Sequence, residues 1–239
     1  MSGHSKWATI KRQKAVTDAK RGQAFTKLGR NITIAVKEGG GPDPSFNFKL
    51  RMAVDRAKDA GMPADNIDRA IKRGSGEGKE ALETVVYEGY GPFGTAFLIE
   101  AVTDNPNRTT SNIKHIFGSY DGNLGTKGSV AWQFNTKGQI LIERDREDLA
   151  DLELKAIDAG AEDVRESEEG LEVYTLPMDL QKIKDSMLKA GAKIAKADVI
   201  QESSQGVNLT EDQKVKVNRL FEELENDDDV IAVHTSANL

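Results

Sequence analysis

The sequence predicts an α+β protein of three domains: an N-terminal helical module, then two α/β (ferredoxin-like) domains, the second inserted in the first. Apolar residues recur at helical spacing through about the first seventy residues. Strand and helix patterns then alternate, and from residue 139 to 201 they follow the order βαββαβ, which is typical of a ferredoxin-like unit. A final helix and strand have no partners in that unit, so we expect them to complete an α/β portion that begins earlier.

Three helices build the predicted helical module. The first has apolar residues on one side and basic residues on the other, which predicts one packed face and one basic face. The apolar residues are Phe25, Leu28, Ile32, Ala35 and Val36, and the basic residues are Lys27, Arg30 and Lys37. The glycines Gly39–Gly41 end this helix. A second helix is predicted over Phe48–Ala60, and a third from Pro63 to Gly74.

Strand patterns begin after a glycine-rich segment, Gly74–Glu80, which is a flexible hinge by composition. The first α/β portion is predicted to contain strands near Thr84–Glu88, Thr95–Thr103 and Ser129–Phe134 and a helix over Thr109–Tyr120. The βαββαβ unit is predicted as Gln139–Glu143, Arg146–Ala159, Asp163–Glu166, Leu171–Leu176, Met178–Ala190 and Lys196–Gln201. A helix over Glu211–Leu224 and a strand over Val230–Thr235 follow.

These elements predict the domain boundaries. The basic helical domain covers residues 1–75, and the split α/β domain covers 82–136 plus 205–239. The inserted acidic ferredoxin-like domain covers 137–204.

Charge is distributed unevenly along the chain, whose formal net charge is −6. Residues 1–73 hold 16 Lys/Arg and 7 Asp/Glu, a balance of +9, whereas the remaining residues hold 17 Lys/Arg and 32 Asp/Glu, a balance of −15. A basic block on an acidic body predicts a polyanionic partner for the block. The alternative is that the basic block and the acidic body pair with each other inside the molecule.

The segment from Ser5 to Lys27 carries seven basic residues and a single acid, Asp18. At helical spacing these cations surround the whole circumference, so the segment is predicted to project as a basic arm rather than to pack. Lysine and arginine neutralise phosphates with little sequence discrimination. Trp7 has two interpretations that stay open, stacking on a base and packing beneath the helical module.

Two loops supply further candidates for phosphate contact. Arg108 lies in DNPNRTTSN (Asp104–Asn112), between a strand and a helix that Thr109 or Asn107 would cap, and free N–H groups there favour an anion. Lys127 lies in GNLGTKGS (Gly122–Ser129), which is either a turn or a surface that backbone can approach closely. The predicted nucleic-acid-binding residues are Lys6, Trp7, Lys11, Arg12, Lys14, Lys20, Arg21, Lys27, Arg30, Arg108 and Lys127.

The sequence predicts no catalytic residues, no metal site and no cofactor. GYGPFG (Gly89–Gly94) fits a dinucleotide fingerprint, but strand residues follow it where the fingerprint requires a helix, so we predict a strand connection. The chain contains no cysteine, no run of 18 apolar residues and no signal-peptide pattern. We therefore expect a cytoplasmic protein that has no membrane partner, although an organellar origin is conceivable.

Several motifs, in order, resemble the YebC family of bacterial and organellar proteins. They are GHSKW (Gly3–Trp7), DAKRG (Asp18–Gly22), GGG (Gly39–Gly41), YEGYGP (Tyr87–Pro92), NRT (Asn107–Thr109), GNLG and GSVAW (within Gly122–Trp132). The resemblance implies three domains around a cleft and a non-enzymatic role in gene expression. Bacterial members are mostly described as DNA-binding transcriptional regulators, and a mitochondrial member activates the translation of cytochrome oxidase.

Together these observations predict a nucleic-acid-binding regulator that is not an enzyme. The first hypothesis is a DNA-binding transcriptional regulator that uses the basic arm. The second is a ribosome-associated translation factor that binds ribosomal RNA. The third is a protein–protein adaptor whose basic head docks an acidic protein. In the first two, the acidic α/β domains would set orientation or recruit a protein partner.

Overall fold

The computed structural model describes residues 18–77, 82–145 and 149–239. Its helices are α1 (Asp18–Glu38), α2 (Phe48–Asp59), α3 (Ala64–Lys72), α4 (Pro106–Ser119), α5 (Ala150–Ala159), α6 (Leu180–Lys189) and α7 (Glu211–Asn226). Its strands are β1 (Glu83–Tyr90), β2 (Ala96–Thr103), β3 (Asn123–Leu124), β4 (Phe134–Glu143), β5 (Asp163–Ser167), β6 (Gly170–Thr175), β7 (Ile194–Ser203), β8 (Val207–Asn208), β9 (Val230–Thr235) and β10 (Ala237–Asn238). The α+β fold class predicted from the sequence is confirmed.

The described chain forms two compact units. The first, which we call the larger unit, contains residues 18–131 and Leu209–Ala237. The second, which we call the inserted unit, contains Trp132–Asn208 and the last two residues. The larger unit groups the helical module with the split sheet, and the three sets of domain boundaries given above stay a prediction.

The three N-terminal helices share one apolar core. Ile32, Ala35 and Val36 of α1 are buried in it, and Phe25 and Leu28 pack at its edge, so the predicted packed face of α1 is confirmed. The other buried members are Leu50, Val54, Ala57, Met62, Ile67 and Ala70. Burying each large aliphatic side chain contributes about 1.5–3 kcal/mol, so this core stabilises the helical module.

The triple glycine lets the chain turn from α1 into α2. Gly40 and Gly41 have φ values of 94° and 125°, a region in which side chains with a Cβ are strained. Asn47, which is 1% exposed, caps α2 by accepting from the Leu50 N–H at 2.9 Å. Its amide also donates to the carbonyl of Ala35 at 2.8 Å, so one side chain joins the end of α1 to the start of α2.

Substituting Gly39 with alanine is expected to lower the free energy of unfolding by about 2–4 kcal/mol, because both overpacking and loss of a helix cap contribute. A Cβ at this position would overlap the Asn47 side chain and lie 2.6 Å from the carbonyl oxygen of Ala35. Gly118→Ala is the matched control, since nothing lies within 4 Å of its Cβ, and we expect it to stabilise by about 0.5–1 kcal/mol. Urea denaturation measures both; equal effects would contradict the close packing at Gly39.

The split sheet of the larger unit has the strand order β3-β1-β2-β9. All pairs are antiparallel, and β9 from the C-terminal segment pairs with β2. Phe97 of β2 and Phe117 of α4 are buried and meet edge to face at a centroid distance of 5.9 Å. The Gly91 N–H donates to the Thr95 carbonyl at 2.8 Å in the turn from β1 to β2, so GYGPFG is a strand connection as predicted.

The inserted unit has the sheet order β5-β6-β4-β7, and every pair is antiparallel. This is the arrangement that the order βαββαβ predicts for a ferredoxin-like unit. Its core contains Ile140 of β4, Val173 of β6 and Ile183 of α6, all fully buried. Strand β4 begins at Phe134, five residues before the predicted start.

One predicted strand is wrong. Ser129–Phe134 is not a strand: Ala131–Gln133 form a 3-10 turn, and β4 begins only at Phe134. Of the predicted hinge, residues 78–80 lie outside the described part of the chain, and Arg73–Glu77 form a π-helical turn after α3. A Cβ on Gly74 would lie 2.6 Å from the carbonyl oxygen of Thr33, so this glycine packs directly against α1.

No helix within the described part of the chain combines the length and the apolar character needed to span a membrane.

Candidate nucleic-acid interface

The predicted site residues divide into those that the structure describes and those that it does not. Lys6, Trp7, Lys11, Arg12 and Lys14 lie outside the described residues. Lys20 falls in the first turn of α1, and Arg21 is exposed on the same helix. The remaining four, which are Lys27, Arg30, Arg108 and Lys127, have described surroundings.

The basic side of α1 faces an acidic segment at the end of α7. Lys27 donates through Nζ to the carbonyl of Glu225, and Arg30 donates to the carbonyl of Asp228. Arg30 also forms an ion pair with Asp229, in which Nη1 lies 2.7 Å from Oδ1. The expectation that Lys27 and Arg30 form an exposed basic face is therefore wrong, because a second part of the chain covers that side of the helix.

Asp229 is the centre of this contact and is 3% exposed. Its Oδ2 accepts hydrogen bonds from the Arg108 guanidinium at 2.8 Å and from the Thr109 hydroxyl at 2.6 Å. Charged hydrogen bonds such as these are shorter and stronger than neutral ones. The carboxylate thus receives cationic donors from α1 and α4, whose sequence positions lie far from its own.

The prediction for the Asp104–Asn112 loop is corrected in one detail, the residue that caps α4. Asn105, and neither Asn107 nor Thr109, caps α4, because its side chain accepts from the Arg108 N–H at 3.2 Å. The Arg108 guanidinium binds Asp229 and also Asp104, at 2.9 Å. It is therefore engaged by carboxylates in this structure, and its assignment to phosphate stays a prediction.

Burial and hydrogen bonding oppose each other at this site. Burial alone would raise the pKa of Asp229, but hydrogen bonds from Thr109, Arg108 and Arg30 outweigh it and hold the pKa below its ordinary value. Burial lowers the pKa of Lys27, and the acids Glu225, Asp227 and Asp228 oppose that shift only in part. Asp229 is therefore strongly held in its ionised form.

Lys127 lies on a loop that a second buried carboxylate organises. Glu88 of β1 is 4% exposed and accepts from the backbone N–H groups of Gly128 at 2.6 Å, Val130 at 2.8 Å and Ala131 at 2.8 Å. Such a concave set of N–H groups is an anion site, and here the protein's own carboxylate occupies it. These bonds also explain why residues 129–131 join no sheet. Lys127 is exposed on the same loop.

Glu88→Gln is expected to lower the free energy of unfolding by about 1–3 kcal/mol, because the neutral amide offers one oxygen acceptor and turns donors toward N–H groups. Burial opposes ionisation of Glu88, but the three backbone N–H groups prevail and lower its pKa. The charge therefore stabilises above the ordinary glutamate pKa, and its contribution is lost as pH falls through the lowered value. Urea denaturation at pH 7 and pH 3 tests this, since the difference between variant and wild type must shrink at pH 3.

The prediction from sequence missed both organising carboxylates. Glu88 lies within the landmark motif YEGYGP, and Asp229 is the last residue of the acidic run DDD, yet neither motif predicts a buried carboxylate that binds several donors. A carboxylate in a strand pattern otherwise rich in apolar and aromatic residues, as at Glu88, is the one signal that favours burial with partners. No comparable signal distinguishes Asp229 from its two neighbours.

Other cations of the helical module face solvent. Arg51 and Lys58 on α2 are exposed, as are Lys72 at the end of α3 and Arg73 directly after it. Within residues 18–77, 82–145 and 149–239, no group of three or more histidine or acidic side chains is arranged to hold a metal ion. The described site is thus a set of ion pairs and solvated cations.

Comparison with known proteins gives matches over nearly the whole chain. A relative from Syntrophomonas wolfei, named "Probable transcriptional regulatory protein", is 46% identical over 100% of this chain and 97% of its own. A relative of the same descriptive name from Thermoanaerobacter pseudethanolicus is 48% identical over 98% of this chain and 96% of its own.

A crystal structure of a conserved hypothetical protein from Aquifex aeolicus superposes with a TM-score of 0.84, at 43% identity, over 93% of this chain and 92% of that one. Residues 5–77 match the model of the TACO1/YebC protein N-terminal domain, and residues 82–237 match that of the TACO1/YebC second and third domain. These two models together cover most of the sequence, and the chain belongs to the TACO1/YebC family.

Proposed function

We propose that this chain is a non-enzymatic regulator of gene expression that binds nucleic acid through its basic arm. The observation that carries the proposal is the separation of charge, +9 in residues 1–73 and −15 in the remainder. A basic segment of this kind attracts a polyanion, whereas an acidic segment repels it. The names of the relatives, which describe probable transcriptional regulatory proteins, support a regulatory role.

The proposed contacts are cations of the basic arm and of the loop that Glu88 organises. They are Lys6, Lys11, Arg12, Lys14 and Lys20 of the basic arm, together with Lys127 on the Glu88 loop. Trp7 is proposed to stack on a base, which is worth about 1–3 kcal/mol where it occurs. Lys27, Arg30 and Arg108 differ from these residues because carboxylate or carbonyl oxygens already bind them.

We favour duplex DNA as the target, in line with the names of the relatives. Contacts to phosphate alone carry no sequence information, so a basic arm of this kind suits weakly specific binding. The same contacts suit ribosomal RNA, and a ribosome-associated translation factor is the alternative. A protein–protein adaptor is the third candidate. Binding to DNA or RNA with the steep salt dependence that counterion release imposes would distinguish the first two candidates from it.

Crosslinking in cells, followed by sequencing of the bound nucleic acid, tests the proposal. We expect enrichment of promoter DNA over a control in which crosslinking is omitted. Recovery of ribosomal RNA without promoter DNA would replace the first candidate by the alternative. Recovery of neither nucleic acid would contradict both.

A further inference from the structure

Asp229 joins three parts of the larger unit that are distant in sequence. Arg30 reaches it from α1, Thr103 reaches it from the end of β2 at 3.2 Å, and Arg108 and Thr109 reach it from the start of α4. The backbone of Asp229 is itself fixed, because its carbonyl accepts from the Val102 N–H at 2.8 Å. The carboxylate is therefore a fixed point on the sheet, and α1 is tied to it.

The contact fixes α1 over one full turn. Lys27 and Arg30 are three residues apart and so lie on the same side of the helix, where both donate to the segment Glu225–Asp229. A helix of 21 residues is about 31 Å long and behaves as a stiff rod, so holding one turn sets the direction of its N-terminal end. Lys20 and Arg21 of the proposed basic arm lie in the first turn of that end.

We infer that Asp229 is a positioning residue for nucleic-acid binding, because it sets the direction of α1 through its ion pair with Arg30. Lys27, Arg30 and Arg108 then hold α1 and α4 against the segment Glu225–Asp229 instead of contacting phosphate. The inference rests on the proposed function, because the role assigned to Asp229 is to orient the arm that is proposed to bind nucleic acid. It reverses an electrostatic expectation. Removing an acid from a polyanion-binding protein strengthens binding by charge alone, whereas removing a positioning acid weakens it.

The test compares Asp229→Asn with Asp228→Asn in the full chain. The two substitutions remove the same charge from adjacent residues, but Asp228 is exposed whereas Asp229 is buried. Fluorescence anisotropy with a short DNA duplex and an RNA hairpin, over a series of salt concentrations, gives the affinity and its salt slope. Hydrogen exchange of the α1 amides reports the docking of α1 separately, and circular dichroism verifies folding.

We expect Asp229→Asn to bind about 3- to 10-fold more weakly than Asp228→Asn, as when only 10–30% of molecules keep the competent orientation. The salt slope should stay unchanged, since no phosphate contact is removed, and the amides of α1 should exchange faster. Tighter binding than that of Asp228→Asn, or a steeper slope, would mean that the released arginines bind phosphate. Equal binding by the two variants also overturns the inference.

Arg30→Gln keeps the inference testable if Asp229→Asn does not fold. We expect the same weaker affinity with the slope unchanged, whereas loss of a phosphate contact would reduce the slope by about 0.9. If the wild-type chain binds neither probe, the proposed function itself fails. That outcome differs from failure of the positioning role, in which the wild type binds and both asparagine variants match it.

Discussion

Asp229→Ala is expected to lower the free energy of unfolding of the larger unit by about 2–4 kcal/mol. Removing one partner of a buried ion pair typically costs about 3–5 kcal/mol, because the remaining charge is left without compensation. The expected loss is somewhat smaller here because the Arg108 side chain is 46% exposed and regains water. The Arg30 side chain is 19% exposed and regains less. Urea denaturation followed by circular dichroism measures the difference.

Asp228→Ala is the matched control for this prediction. Asp228 is exposed, and its carboxylate accepts only a 3.2 Å hydrogen bond from Gln23 among the contacts described, so we expect a change within about 0.5 kcal/mol. The effect of Asp229→Ala also depends on pH. Because the folded-state pKa of Asp229 is lowered, its contribution is complete above the ordinary aspartate value and is lost as pH falls through the lowered one. A difference that persists undiminished at pH 2 would show that packing, and not charge, is responsible.

Replacing Lys11, Arg12 and Lys14 together with alanine is expected to weaken binding to DNA and RNA on the order of 10- to 100-fold at moderate salt. Each lost phosphate contact also removes about 0.9 from the slope of log K against log salt for duplex DNA, so the slope should fall by about 2.7. Anisotropy titrations from low to moderate salt measure both quantities. The proposed contacts are electrostatic, so the two readouts must change together.

The control removes three cations from a different part of the chain. Lys182, Lys184 and Lys189 lie on or beside the exposed side of α6 in the inserted unit, and replacing them with alanine gives the same net charge. We expect less than a threefold loss of affinity and no change of slope, because the proposal places the phosphate contacts on the arm and none on α6. If the α6 triple variant lost as much affinity as the arm variant, net charge would account for binding and the arm would not be the contact surface.

Periodicity predicted the elements that pack through a single apolar face. The side of α1 that carries Ile32 is one example, and the strands and helices of the inserted unit are another. In each of these elements the spacing of apolar residues along the element itself indicates which face is buried. The predicted strand over Ser129–Phe134 failed for the opposite reason. Val130 and Ala131 resemble strand residues, but Glu88, some forty positions away, binds their N–H groups.

The sequence by itself determined the fold class, the family and the uneven distribution of charge, since composition, periodicity and ordered motifs are local properties. Only the tertiary structure decided which of the described cations bind carboxylates of the chain itself. Arg30 and Arg108 look equivalent to the other basic residues in the sequence, yet both bind one carboxylate at Asp229. Ion pairing between residues some 120 to 200 positions apart depends on where the chain places them. Such pairing has no sequence period. Within the basic block, Arg30 pairs with the acidic part of the chain, as the alternative hypothesis predicted, and nucleic-acid contact by the arm stays a proposal.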